Sequence, residues 1–187
     1  SATEFAAEWL VRKLTSPEMH NIMLAGGNTP LELYASVAKR QAALSHLTVF
    51  ALDEYVGVPP TESRNCSNLI YERAVKPWGI PRERYHFTSS LESEAAGSIL
   101  EHERKIKAVG GLDLVILGLG KNGHIGFNEP SSEIDSEGRM VPLSETSINA
   151  NREWFRGDYA PHMGVTTGMK TLLAAKNILL LAFGIPK

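Results

Sequence analysis

The sequence predicts an α/β fold: an open, mostly parallel, doubly wound sheet with helices on both faces and a small lid segment. Three observations predict it. Short apolar runs such as Ile22-Met23-Leu24 and Leu114-Val115-Ile116-Leu117 read as strands buried on both sides. Segments with helical spacing separate these runs. The residues with chemistry to offer stand just after the strands, where open α/β sheets place their ligands.

Taken in order, residues 2–14 carry Phe5, Trp9, Leu10 and Leu14 at helical spacing. "NIMLAGG" is a short strand that breaks into glycines. "TPLELYASVAKRQAAL" is a helix, with Thr29 as its N-cap and Pro30 in its first position. "LTVFALDEY" is the next strand, and residues 66–75 are helical. Residues 91–109 form a charged amphipathic helix, and "LDLVILGLG" follows as a strand. Residues 131–160 are polar and irregular in pattern, a helix and loops over the site. "HMGVTTG" is a short strand, "MKTLLAAK" a helix and "NILLLAFG" a strand. Residues 1–187 are expected to make a single domain with the lid at about 131–160. Both ends are expected to be incomplete, since Ser1 stands without an initiating Met and Lys187 closely follows a strand-like run.

Composition excludes several classes. The chain has 187 residues, 43% of them hydrophobic, enough for a core that needs no disulfide or metal. Cys66 is the single cysteine, so no internal disulfide forms, and a reducing, cytoplasmic setting is expected. No run approaches the roughly 18 apolar residues of a membrane helix, so no membrane is expected as a partner. A net charge of −2 without a basic stripe argues against nucleic acid. A homo-oligomer is compatible with everything above.

Four stretches converge at the strand ends. Gly26-Gly27-Asn28-Thr29 leads into a helix whose free N–H groups and positive dipole end suit a phosphate. The stretch is neither a Walker loop nor the GxGxxG fingerprint, and a plain strand–helix turn remains its alternative reading. Asp53 follows an apolar strand; a carboxylate half desolvated there has a raised pKa and serves as a base. Its plain alternative is a strand-end Asp that caps the next turn. In "GLGKNGHIGFNEP" (Gly118–Pro130), His124 and Glu129 stand five apart in a glycine-rich loop. A carboxylate bonded to one imidazole nitrogen fixes the tautomer and readies the other for proton transfer. Asn122, two residues earlier, is placed to orient the same ring or a ligand hydroxyl. A structural His is the alternative, and the glycines weigh against it. His86, His102 and His162 have no metal-ligand spacing, so no metal is expected. There is no GxSxG elbow, and Cys66 falls in a helix expected to lie away from the strand ends. The last stretch is Gly184-Ile185-Pro186-Lys187.

Together, "LAGGNTPLELY", "LDEYVGVP", "LDLVILGLGKNGHIGFNEP" and "LLLAFGIPK" resemble the glucosamine-6-phosphate deaminase/isomerase family in motif and order, from Leu24 to Lys187. The resemblance implies that a 2-amino-2-deoxyhexose 6-phosphate is isomerised with loss of ammonia, without metal or redox cofactor. Asp53 would then be the base between C2 and C1, His124 the ring-opening residue and Glu129 its supporting carboxylate. Asn122 stands where one branch has Asp. Gly26, Gly27, Asn28 and Thr29 match the phosphate loop, Lys187 the phosphate lysine, and Arg152 the lid arginine with its register off by one. Arg139 matches one cation of an activator site. Val141 stands where that site's lysine would be, so that switch is not carried over. The wording around Asn122 leans toward a galactosamine-6-phosphate branch. Two rivals share the fold. Sister lactonases that act on 6-phosphogluconolactone typically read "DER" and "GHTASLFP" where this chain has "DEY" and "GHIGFNEP". Non-catalytic sugar-phosphate sensors could lose Asp53 or His124, and this chain has both.

Overall fold

The computed structural model describes residues 1–183. Its strands are β1 (Asn21–Leu24), β2 (Thr48–Ala51), β3 (Asp53–Val56), β4 (Tyr85–His86), β5 (Leu114–Gly118), β6 (Arg139–Pro142), β7 (Met163–Thr166) and β8 (Ile178–Leu181). Its α-helices are α1 (Ala2–Leu14), α2 (Leu31–Ala38), α3 (Cys66–Ile70), α4 (Glu92–Ala108), α5 (Glu145–Trp154) and α6 (Met169–Leu173).

Five strands form the central sheet in the order β4-β2-β1-β5-β8, with every pairing parallel. Because side chains alternate along a strand, each central strand feeds two cores. Ile22, Leu24, Val49, Ala51, Leu114 and Ile116 pack on one side under Leu10 and Leu14 of α1 and Leu33 and Val37 of α2. Met23, Phe50, Val115 and Leu117 pack on the other under Ile106 of α4 and Leu172 of α6. The doubly wound expectation therefore holds. It also explains the unbroken apolar runs, since each such side chain contributes roughly 1.5–3 kcal/mol of burial on whichever face it points to.

Three local expectations need correction. Phe5 is 73% exposed, and the buried stripe of α1 is Thr3, Ala7, Leu10 and Leu14. Helix α2 starts at Leu31 rather than Pro30 and stops at Ala38, with Gln41 turning at a φ of 48°. Thr29 is accordingly not its N-cap; Pro30 holds that position and offers no side-chain bond. The early stop returns the chain to the sheet, where Leu44 and Leu47 are buried.

The larger correction concerns "LTVFALDEY". It is two strands in two sheets. β2 belongs to the parallel sheet, whereas β3 pairs antiparallel with β7, and β7 with β6. Leu52 alone joins β2 to β3. Its N–H donates to the Leu24 carbonyl and its carbonyl accepts from Thr167 N–H, both at 3.0 Å, so this one residue is tied to both sheets. The segment 131–160, expected to be a lid, is likewise more regular than its polar pattern suggests. It supplies β6 and α5, and Val141, Leu143 and Phe155 pack with Tyr55 and Phe127 in a core of their own. Arg64 ties the end of this segment down, donating to the Phe155 carbonyl and to Asp158, both at 2.9 Å.

Candidate active site

One cleft lies beyond the carboxyl ends of β1, β2 and β5. Gly26, Gly27, Asn28 and Thr29 line it from the loop after β1, and Asp53 from the start of β3. His124 lines it from the loop after β5, and Cys66 from α3.

Gly27 takes a φ of 83°, a left-handed conformation that costs glycine least. Gly26 is required for another reason. A Cβ there would stand 2.9 Å from the Cys66 Cβ and 3.0 Å from its Sγ, so the loop is pressed onto α3.

Asp53 is buried, and its carboxyl is pushed from 3.8 up to about 7. Loss of solvent is the main cause and the neighbouring charge of Glu54 the next; the Cys66 thiol on the same cleft pulls the other way. A base with this value is poised for proton transfer near neutral pH.

His124 does not bond Glu129 directly, since Nδ1 and Oε2 are 3.9 Å apart. Asn122 stands between them. Its Nδ2 donates to Glu129 Oε2 at 2.8 Å, and its Oδ1 lies 2.7 Å from His124 Nδ1. A carboxylate only accepts, so it fixes which way the amide faces. The amide oxygen then requires a hydrogen on Nδ1, which leaves Nε2 as the basic nitrogen of the neutral ring. Ser144 N–H, Ser144 Oγ and Ser147 Oγ also donate to Glu129 Oε1. Partial burial pushes Glu129 up, but the hydrogen bonds from Ser147, Asn122 and Ser144 outweigh it and hold the carboxyl below its usual value. These serines come from the N-terminus of α5, so that helix braces the far end of the relay.

The glycines of this loop have separate jobs. Gly123 turns at a φ of 89° and Gly126 at 59°. Gly120 has no positive φ, but the imidazole lies on it: an added Cβ would stand 2.3–2.4 Å from Cε1, Nδ1 and Nε2 of His124. Gly120→Ala is therefore expected to fold normally, because only the end of a side chain must move, while it displaces the ring. A misplacement of about 1 Å is enough for a loss near 10²-fold, so a drop in turnover with an unchanged melting temperature is the expected reading.

Not every residue expected at the site is placed there. Arg152 is exposed on α5 and does not line the cleft. Lys187 lies outside the described residues. Arg139 lines a separate cleft with Glu129, Ser132 and Val141, and donates to Asn128 Oδ1 at 3.0 Å and to Ser132 Oγ at 3.1 Å. Cys66 is corrected in the opposite direction. It does lie in a helix, but its side chain faces the cleft and Asp53. Among the described residues, no group of His, Cys, Asp and Glu could hold a metal ion, and no helix is long and apolar enough to cross a membrane.

A doubly wound sheet with a glycine loop, a buried carboxylate and a His–Asn–Glu chain of hydrogen bonds at its strand ends belongs to the α/β domains that hold ligands beyond their strand ends. The family described as glucosamine-6-phosphate isomerases/6-phosphogluconolactonase matches residues 1–187, and the chain belongs to it. It is 34% identical to the glucosamine-6-phosphate deaminase of Shewanella halifaxensis, over 98% of this chain and 72% of that protein. It is 36% identical to glucosamine-6-phosphate deaminase 1 of Giardia intestinalis, over 86% and 63%. Among solved structures, a monomeric glucosamine-6-phosphate deaminase superposes with a TM-score of 0.89 at 26% identity, covering 95% of this chain and 76% of that one. The 6-phosphogluconolactonase of Thermotoga maritima superposes at 0.76 with 23% identity, covering 98% and 81%, a likeness of fold alone.

Proposed function

We propose that this chain isomerises and deaminates a 2-amino-2-deoxyhexose 6-phosphate, giving the ketose 6-phosphate and ammonia. The observation that carries the reading is one cleft holding both a buried carboxylate raised to about 7 and an imidazole with a fixed tautomer. His124 Nε2 moves the proton that opens the pyranose ring. Asp53 then takes the proton from C2 and returns it to C1, which leaves a C2 iminium. Water adds to that carbon and ammonia departs. Asn122 and Glu129 hold the imidazole, and the Gly26–Thr29 loop receives the phosphate. Lys187 is a second phosphate ligand in this reading, while the placement of Arg152 lends its expected role no support. Remote phosphate binding lets the site use energy away from the reacting carbons. Hydrolysis of a sugar-phosphate lactone, the rival chemistry, needs an activated water and gains nothing from a ring-opening relay.

The test is ammonia release from glucosamine 6-phosphate and galactosamine 6-phosphate, with hydrolysis of 6-phosphogluconolactone run in parallel. The relatives' names put glucosamine 6-phosphate first, and ammonia from it is the expected result. Lactone hydrolysis without ammonia, or tight binding of both sugars without turnover, would overturn the reading.

A further inference from the structure

Beside Asp53, the chain buries a second carboxylate that the chemistry above does not use. Glu54 is 1% exposed. Side chains alternate along β3, so Asp53 faces the cleft while Glu54 faces α3. Glu54 Oε1 accepts from the backbone N–H of Tyr55 at 2.8 Å and of Cys66 at 3.0 Å. Its Oε2 accepts from Ser67 N–H at 2.9 Å and from Ser67 Oγ. All four partners donate, the arrangement of a carboxylate rather than of a carboxylic acid. Tyr85 adds a bond from its hydroxyl to the Ser67 carbonyl at 2.9 Å. The first turn of α3 is thereby locked to the strand that carries Asp53. Cys66 is the residue at which the two faces meet. Its N–H serves Glu54, while its side chain returns to the cleft beneath Gly26.

We propose that Glu54 and Cys66 are a pair of positioning residues for Asp53: Glu54 anchors the first turn of α3, and the Cys66 thiol held there donates to the Asp53 carboxylate and orients it toward the substrate. The proposal rests on the reading of Asp53 as the C2 base. It assigns the pair opposite electrostatic effects, because the thiol stabilises the ionised form and the Glu54 charge opposes it. Among the described residues, the other titratable groups around Asp53 are Tyr34 of α2, Tyr55 of β3 and His124 of the loop after β5. They stay unchanged in the variants below.

The experiment is kcat/KM against pH for the wild type, Cys66→Ala, Cys66→Ser and Glu54→Gln, measured as ammonia release. Wild-type turnover comes first: if the unaltered chain releases no ammonia, the functional reading fails, separately from this proposal. Given an active wild type, Cys66→Ala is expected to move the acidic limb up by about half a unit or more. Cys66→Ser keeps a donor, so the limb stays at or below its wild-type position. Glu54→Gln is expected to move it down. A limb unmoved or lowered in Cys66→Ala overturns the proposal, and so does an unmoved limb in a folded Glu54→Gln; a raised limb there reports a lost anchor and a released thiol, which supports it. If Glu54→Gln does not fold, the two cysteine variants decide alone. A packing role for the thiol would lower kcat without moving the limb.

Discussion

Asp53→Asn is expected to abolish most turnover and at the same time to stabilise the fold at alkaline pH. Loss of a general base costs at least roughly 10²-fold in kcat, with binding of the sugar phosphate nearly intact by calorimetry. The stability effect follows from the same carboxyl. In the unfolded chain it titrates at 3.8, and in the folded protein at about 7. Folding thus favours its protonated form. Its contribution to stability is fully present below 3.8 and is lost progressively as pH rises from 3.8 to about 7, above which the protein holds a buried charge. Asparagine carries no such charge. At about 1.36 kcal/mol per unit, the gain at pH 8 has a ceiling of roughly 4 kcal/mol. It should shrink steadily as pH falls from about 7 towards 3.8, with roughly 2 kcal/mol of it left at pH 5. Thermal melts across that range, with calorimetry and ammonia release alongside, check all three effects. Retained turnover would remove Asp53 from the chemistry, and a pH-independent change in melting temperature would remove the raised titration.

The second large effect concerns the relay. His124→Gln is expected to slow reaction of the closed ring by roughly 10²–10⁴-fold, the range of a lost acid–base group, and to affect substrate already in the open form far less. Among the described residues, Asn122 is the shorter of two links between His124 and Glu129, at 2.7 and 2.8 Å; the other is Ser147, whose Oγ lies 3.4 Å from His124 Nδ1 and donates to Glu129. Asn122→Ala should therefore weaken ring opening at least as much as Glu129→Gln does. Added to His124→Gln, either change should cost little more, because residues that act as a unit are not additive. The measurement is a double-mutant cycle with trapping of the open-chain form. Full additivity would dissolve the relay. An Asn122→Ala variant with normal ring opening would pass the hold on His124 from Asn122 to Ser147.

What the sequence made legible follows from range. The parallel sheet was readable because continuous apolar runs report burial on two faces, and the cores on either side of Met23 and Leu24 are the reason. Asp53, His124 and the glycine loop were readable because each stands next to its own strand end. Asn122, Glu129 and His124 were found together because the whole relay lies within one loop, although its order could not be read from spacing. Cys66 was misplaced because its approach to Asp53 depends on Glu54 pulling α3 inward across a 12-residue separation, and no local pattern encodes such a pull. The small antiparallel sheet was missed for two reasons. Its β3 continues β2 with one residue between them, and its β6 hides an inward Val141 among half-exposed and exposed residues.

The one-residue joint at Leu52 makes chain length itself a coded quantity at this point. Deleting Leu52 would shift β3 by one place against β7, and side chains on a strand change face with each step. Glu54 would then take the place of Asp53 at the cleft mouth, and Tyr55 would meet the first turn of α3 in its stead. Such a chain would keep its composition, its motifs and most of its core. It would still present a carboxylate to the cleft, now one methylene longer. Insertions and deletions are ordinarily absorbed in loops. Here there is no loop to absorb them, and a frame error of a single residue would exchange the carboxylate at the cleft for the structural one.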